Sequence, residues 1–494
     1  MDGRIPEGPQ VSPVREWLLI AAMFALAWLP LAGFTLVVLA VGLVWGVWQA
    51  AVLPLLWVLP ALYGAIVQDA LPGRAVRPGE EPELAALIQD MTERTGFRAP
   101  LLVRIVPEPT VALGRVKVAG VRTYALLLGL PVLRAFSAAQ LAAVIAHELA
   151  HQQHVDDRRT RWLLTARGAL AERLEGRFRP LAPLAAPLLR ATQPRVWQTE
   201  SAADADAARL VGATATREAL ERTGVIDEAF TGIAEFWVAD LVEDGRYPLD
   251  FYDALDLALK DPLVASCCAR DAAEEHTLDA YATADHPPPA ERVAALPPTD
   301  GWTAYGSDPV VLRDADAIAR WCVLQLACAD DPEAGPASRS SIRPEDLKPV
   351  RLLDLDADEL RGTADEGPGA QALTAATRQV SPAQALRVAL DAVADGHWHR
   401  LARRVAPRLR WLPSAVHPAA GRQMLADAMG AALTPLLLRA GWSYASRWMS
   451  TVLTAPDGTV VDLYELLVTA VDSGDPAPVR ALLEKTGTEE AERV

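Results

Sequence analysis

This chain of 494 residues has little cysteine and almost no lysine. Its four cysteines, Cys267, Cys268, Cys322 and Cys328, are too few and lack the C-x-x-C spacing that a disulfide framework or a thiolate metal site would use. Reduced thiols are the expectation. Four lysines stand against forty-three arginines, and alanine is abundant. That is the bias of a GC-rich bacterial genome, so the arginine count alone says little about partners. The formal net charge is −16 and no nucleic-acid-reading motif is present, so no nucleic-acid partner is expected. No internal repeat is found.

One absence is local. Residues 17–68 contain no charged side chain at all, a run long enough for two bilayer spans of about twenty residues each. A split near residues 40–46 gives spans at 17–39 and 44–67, kinked by Pro30, Pro54 and Pro60. Trp17, Trp45, Trp48, Trp57 and Tyr63 suit the headgroup region. The run is too long for a cleaved signal peptide and too uninterrupted for a soluble hairpin. Arg4 and Arg15 precede it, Arg74 and Arg77 follow it, and the connection is uncharged. Both ends are therefore expected on the cytoplasmic side of a bacterial plasma membrane, with the lipid bilayer as a partner.

What the chain does contain is His147-Glu148-Leu149-Ala150-His151. Histidines four apart on a helix share one face and can grip a single Zn²⁺, and the glutamate between them lies where a general base on water is needed. Ser137 and Gln140 make a capping-box pair, and residues 141–153 contain no Gly or Pro. Leu141, Val144, Ile145 and Leu149 recur at helical spacing. Residues 101–106 and 123–128 read as short strands ahead of this helix, separated by Gly-containing turns. In enzymes built this way a strand edge can hold an extended peptide.

A catalytic zinc normally has three protein ligands and one open position. Glu200, in the helix-prone run Glu200-Ser201-Ala202-Ala203-Asp204, is the candidate third ligand. Asp204 lies one turn on, placed to accept the ring N–H of a ligating histidine. His154 cannot easily join His147 and His151 around a tetrahedron and reads as outside the ligand set.

The ordered set of HELAH, then Glu200-x-x-Ala203-Asp204, then His286-Pro287-Pro288-Pro289-Ala290-Glu291-Arg292-Val293 resembles the HtpX and CAAX-prenyl-endopeptidase superfamily. These are gluzincin metallopeptidases, many of them membrane-embedded, and the resemblance spans about residues 80–297. It implies one Zn²⁺ per chain held by His147, His151 and Glu200, with Glu148 as catalytic base. It also implies His286 near the site, either as a transition-state donor or as an inhibitory ligand. A plain turn residue before a proline run is the third reading of His286. Arg292 would anchor that loop. Protein or peptide substrates at or near membranes follow, in quality control or regulated proteolysis.

This chain departs from deeply embedded members in lacking apolar spans between HELAH and Glu200. Residues 158–195 hold nine arginines against Glu172 and Glu175, a net of +7, with Leu163, Leu164, Leu170, Leu174 and Phe178 interleaved. Two readings are open: a segment lying on an anionic membrane surface, or a solvated helical arm whose arginine stems cover apolar surface.

The expected fold is α+β and mainly helical. A zincin-type metallopeptidase domain at 80–300, with a small sheet and the HExxH helix, follows a short tail (1–16) and the transmembrane hairpin (17–68). Residues 330–369, rich in Asp, Glu, Pro, Ser and Gly, read as a linker. Residues 370–494 read as an α+β accessory domain of unassigned role, with helices at 382–394 and 423–440 and a hairpin turning at Pro456-Asp457-Gly458. His397, His399 and His417 lack a ligand pattern there. The competing functional class is a non-catalytic membrane-tethered interaction protein with a structural zinc.

Overall fold

A computed structural model describes residues 12–45, 71–118, 121–175, 181–234, 238, 241–242, 244–275, 283–299, 305–328, 346–355, 367–412 and 416–485. The predicted second span from residue 46 onward, Phe178, and most of the predicted linker lie outside these residues.

The described chain is α+β and mainly helical, and its contacts divide into two units. The first takes in residues 1–231, 241–256 and 271–350; the second takes in 232–240, 257–270 and 351–494.

In the first unit, α1 (Pro13–Trp45) is a single run of helix. It continues past the expected end at residue 39, because nothing polar or glycine-rich interrupts it between Thr35 and Trp45 except Gly42. Its two halves, Pro13–Leu29 and Ala32–Trp45, are bent by 47°. Pro30 stands at that break, where its missing N–H and its ring oppose a straight helix. No single described helix is long and apolar enough to cross a membrane, but this bent pair passes the test of length and composition together.

A four-stranded sheet follows, from β1 (Arg74–Val76), β2 (Leu101–Val106), β3 (Val111–Val118) and β4 (Val121–Gly129), in the order β1-β2-β4-β3. Between β1 and β2, α2 (Pro82–Thr95) opens on a proline at its first turn and stops at Gly96, whose φ of 69° glycine adopts most easily. β2 and β4 pair in parallel with Leu101 opposite Tyr124, while β3 pairs antiparallel with β4 and forms an edge. β3 occupies part of what the sequence suggested was turn. Gly114, Arg115 and Lys117 break its apolar pattern, so its strand state comes from pairing with β4.

The helix α3 (Ala138–Val155) begins with the predicted capping box. Gln140 N donates to Ser137 Oγ at 3.2 Å, and Ser137 N donates to Gln140 Oε1 at 3.1 Å. Leu141, Ile145 and Leu149 are fully buried and fix the rotation of the helix.

Next come α4 (Arg158–Glu175) and the long α5 (Ala182–Val211). Neither reading of the arginine-rich stretch describes them fully. Leu163, Leu170 and Leu174 of α4 join Ala185, Leu189 and Val196 of α5 in one apolar cluster. Ile20, Met23, Leu26 and Ala27 of α1 complete it, so these leucines face helices rather than lipid or water. Arg167 is buried among them. The unit also holds α6 (Pro289–Ala295) and a two-stranded parallel pair of Arg246–Pro248 with Lys348–Val350.

The second unit is built on α10 (His417–Arg439), against which α7 (Pro368–Thr377), α8 (Pro382–Ala394) and α9 (Trp398–Val405) pack. A three-stranded sheet of β5 (Ser443–Tyr444), β6 (Val452–Thr454) and β7 (Val460–Asp462) contains the hairpin read from Pro456-Asp457-Gly458. His397 and His399 are exposed, and His417 bonds the Leu412 carbonyl at 2.8 Å. All four cysteines are free thiols.

Candidate active site

The helices α3 and α5 pack side by side, and their facing turns carry the titratable residues singled out in the sequence. His147 and His151 lie one turn apart on α3 with rings nearly parallel, 9° between planes and 5.9 Å between centroids. Glu200 on α5 meets both. Its Oε2 is 3.4 Å from His147 Nε2 and its Oε1 is 2.7 Å from His151 Nε2. Asp204, one turn further along α5, places Oδ1 2.9 Å from His147 Nδ1, so the two nitrogens of that ring face two different carboxylates.

Arg292 of α6 grips Asp204 with a bidentate fork, Nε to Oδ2 at 2.8 Å and Nη2 to Oδ1 at 2.7 Å. Just ahead of α6, His286 Nδ1 bonds Glu200 Oε2 at 2.7 Å. Glu148 points the other way, toward the sheet, where its Oε2 accepts from Leu113 N of the edge strand β3 at 3.1 Å. His154 stands apart, paired with Asp206 at 2.8 Å. Six sequence-selected residues other than Glu148 thus share one polar cluster, and Glu148 flanks it on α3. Leu113 was not selected, since a backbone donor leaves no mark in side-chain identity.

Burial sets the electrostatics. Glu200 and Asp204 are almost wholly withdrawn from water. Burial would raise the Glu200 carboxyl, but His147, His151 and His286 close around it and hold it well below the usual carboxylate range. Asp204 is likewise lowered against its own burial by Arg292 and His147. Burial alone would lower His147, yet Asp204 and Glu200 bring its pKa up to about 9.

Two imidazoles and a carboxylate are the chemistry of a zinc donor set. His151 Nε2 is buried and makes no aligned hydrogen bond despite its nearness to Glu200. His147 Nδ1 is also within reach of Asp204 but out of line. Buried ring nitrogens without an aligned partner are unusual in a folded protein. Bond lengths of about 2.05 Å put tetrahedral donors roughly 3.3 Å apart. His147 Nε2 lies 3.4 Å from Glu200 Oε2, close to that edge, whereas His151 Nε2 lies 2.7 Å from the other oxygen, Oε1, closer than two donors to one ion stand. As they lie, no three His, Cys, Asp or Glu groups among the described residues are arranged to hold an ion.

The raised pKa of His147 makes a measurable demand on metal uptake. Below about 9 the ring carries a proton that an incoming ion must displace. Zinc affinity should therefore rise by roughly tenfold per pH unit between about pH 7 and pH 9, then level off. Calorimetry in buffers of different ionisation heat should show proton release on zinc binding near neutral pH. An affinity flat across that range would contradict the assignment of His147.

Two histidines and a glutamate of α3 thus stand beside an acidic pair from the neighbouring helix α5 and the edge of a sheet. Residues 123–299 match the model of peptidase family M48, the family of HtpX/CAAX protease-like zinc metallopeptidases. The match takes in α3, Glu200, His286 and Arg292, and leaves α1 and residues 351–494 outside it. No curated protein and no solved structure matches the chain.

Proposed function

We propose that the protein is a membrane-anchored zinc endopeptidase that cleaves membrane or membrane-proximal proteins. One observation carries this reading: His147, His151 and Glu200 meet in a buried cluster, while Glu148 of the same helix turns toward the edge of a sheet. His147, His151 and Glu200 would hold one zinc. When bound, zinc supplies a Lewis acid beside which water ionises near neutral pH.

The remaining chemistry belongs to the chain's own groups. Glu148 takes a proton from the attacking water and delivers it to the departing amine. The Leu113 N–H holds that carboxylate at the edge of β3, where an extended peptide can add as a further strand. Asp204 orients the His147 ring, and Arg292 holds Asp204 in place. His286 reaches the cluster through Glu200 from a half-exposed position, open to substrate, which suits a donor to developing charge.

Membrane anchoring is supported by α1. Leu18, Leu36, Val37, Leu43 and Val44 of this helix all face outward, the last 80% exposed, a surface that water does not favour. The flanking arginines put the peptidase domain on the cytoplasmic side. Residues 370–494 would then serve as an accessory domain that recruits substrate.

The deciding experiment is metal removal. The purified protein should carry about one zinc per chain, lose proteolysis of a membrane-protein substrate on chelation, and regain it when zinc is restored. Cleavage that survives complete metal removal, or a protein that takes up no zinc, would sink the reading.

A further inference from the structure

Arg167 is the bulkiest side chain fully buried among the described residues, at 1% exposure, and the chemistry above gives it no task. It sits on α4 beside Ala166 and Leu170, within the apolar cluster shared with α1 and α5. A guanidinium in such surroundings is costly to bury unless its donors are met. Nη1 donates to the Leu189 carbonyl at 2.7 Å and to Thr192 Oγ1 at 2.9 Å, both on α5. Nε donates to Asp285 Oδ1 at 3.2 Å.

Asp285 is the residue before His286. The loop they share is therefore held at two points, by Arg167 at Asp285 and by the Arg292–Asp204 fork just beyond. His286, bonded to Glu200, stands between the two. Asp285 and His286 are 51% and 57% exposed, and Pro287, Pro288 and Pro289 have no N–H to donate.

We propose that Arg167 is a positioning residue: through Asp285 it sets His286 against Glu200, and so ties the packing of α1, α4 and α5 to the geometry of the active site. The proposal rests on the peptidase reading for its kinetic consequence, but not for its structural one.

Asp285 is half-exposed, so its substitution opens no cavity in the core, and it provides the main test. Asp285→Ala should lower kcat by about tenfold with KM and zinc content unchanged. In a His286→Ala background the same change should add nothing, because the two act as one unit. Asp285→Glu should recover part of the loss, and Asp285→Asn little of it. Hydrogen exchange of the metal-free protein provides a readout independent of cleavage. Amides of residues 283–286 should exchange faster in Asp285→Ala, and equally so in Arg167→Met if that variant folds. An Asp285→Ala effect of the same size with and without His286, or unchanged exchange in the loop, overturns the proposal. If the wild type cleaves nothing, the peptidase reading fails, and loop exchange alone decides the role of Arg167.

Discussion

Glu148→Gln should abolish proteolysis while leaving about one zinc per chain in place. Glutamine keeps the length and shape of the side chain and still offers an oxygen to the Leu113 N–H, so α3 and β3 keep their contact. What it loses is the capacity to take a proton from water. General-base catalysis contributes on the order of a hundred- to ten-thousandfold, and kcat should fall within or below that range with KM little changed. The contrast with His151→Ala sharpens the assignment, since that variant should lose both the metal and the activity. Turnover by Glu148→Gln within about tenfold of wild type would assign the base elsewhere. An inactive, metal-loaded Glu148→Gln protein also retains bound substrates, so capture from membranes tests what the enzyme acts on.

Arg292→Met should destabilise the metal-free protein by about 3–5 kcal/mol. The expected size follows from what the substitution leaves behind. Asp204 has 3% of its side chain exposed and Glu200 has 2%, and the Arg292 fork meets both Asp204 oxygens. Without the guanidinium, two carboxylates stay buried with only histidines to balance them. Methionine retains the stem volume, so the loss reads as charge rather than cavity. Arg292→Lys should recover part of the stability, since a point charge cannot reproduce the bidentate pair. Denaturant titration with the metal removed measures this directly. A loss below about 1 kcal/mol would show that the carboxylates find other partners.

Much of this site was legible because its chemistry is local in sequence. Two histidines one turn apart, a capping box four residues long, and a Glu200/Asp204 pair one turn apart each declare local helix geometry without reference to the rest of the fold. The structure places these faces together. What could not be read was whatever depends on a distant partner. β3 carries Gly114, Arg115 and Lys117, and becomes a strand because β4 lies alongside it. Arg167 looked like one more member of a basic run; its burial depends on Leu189, Thr192 and Asp285, which stand 22, 25 and 118 residues away. Residues 232–240 and 257–270 group with the C-terminal unit through contacts that no local pattern signals.

The inner face of α1 has a practical consequence for anyone preparing this protein. Ile20, Met23, Leu26 and Ala27 are as much a part of the peptidase unit's core as Leu163, Leu170, Leu174 and Leu189, which they cover. Clipping the chain before β1 to obtain a soluble catalytic fragment would strip the lid from that apolar layer. It would also bare the surroundings of Arg167 to water. The greasy N-terminal helix is a structural wall of this unit, and the protein is best handled with it in place.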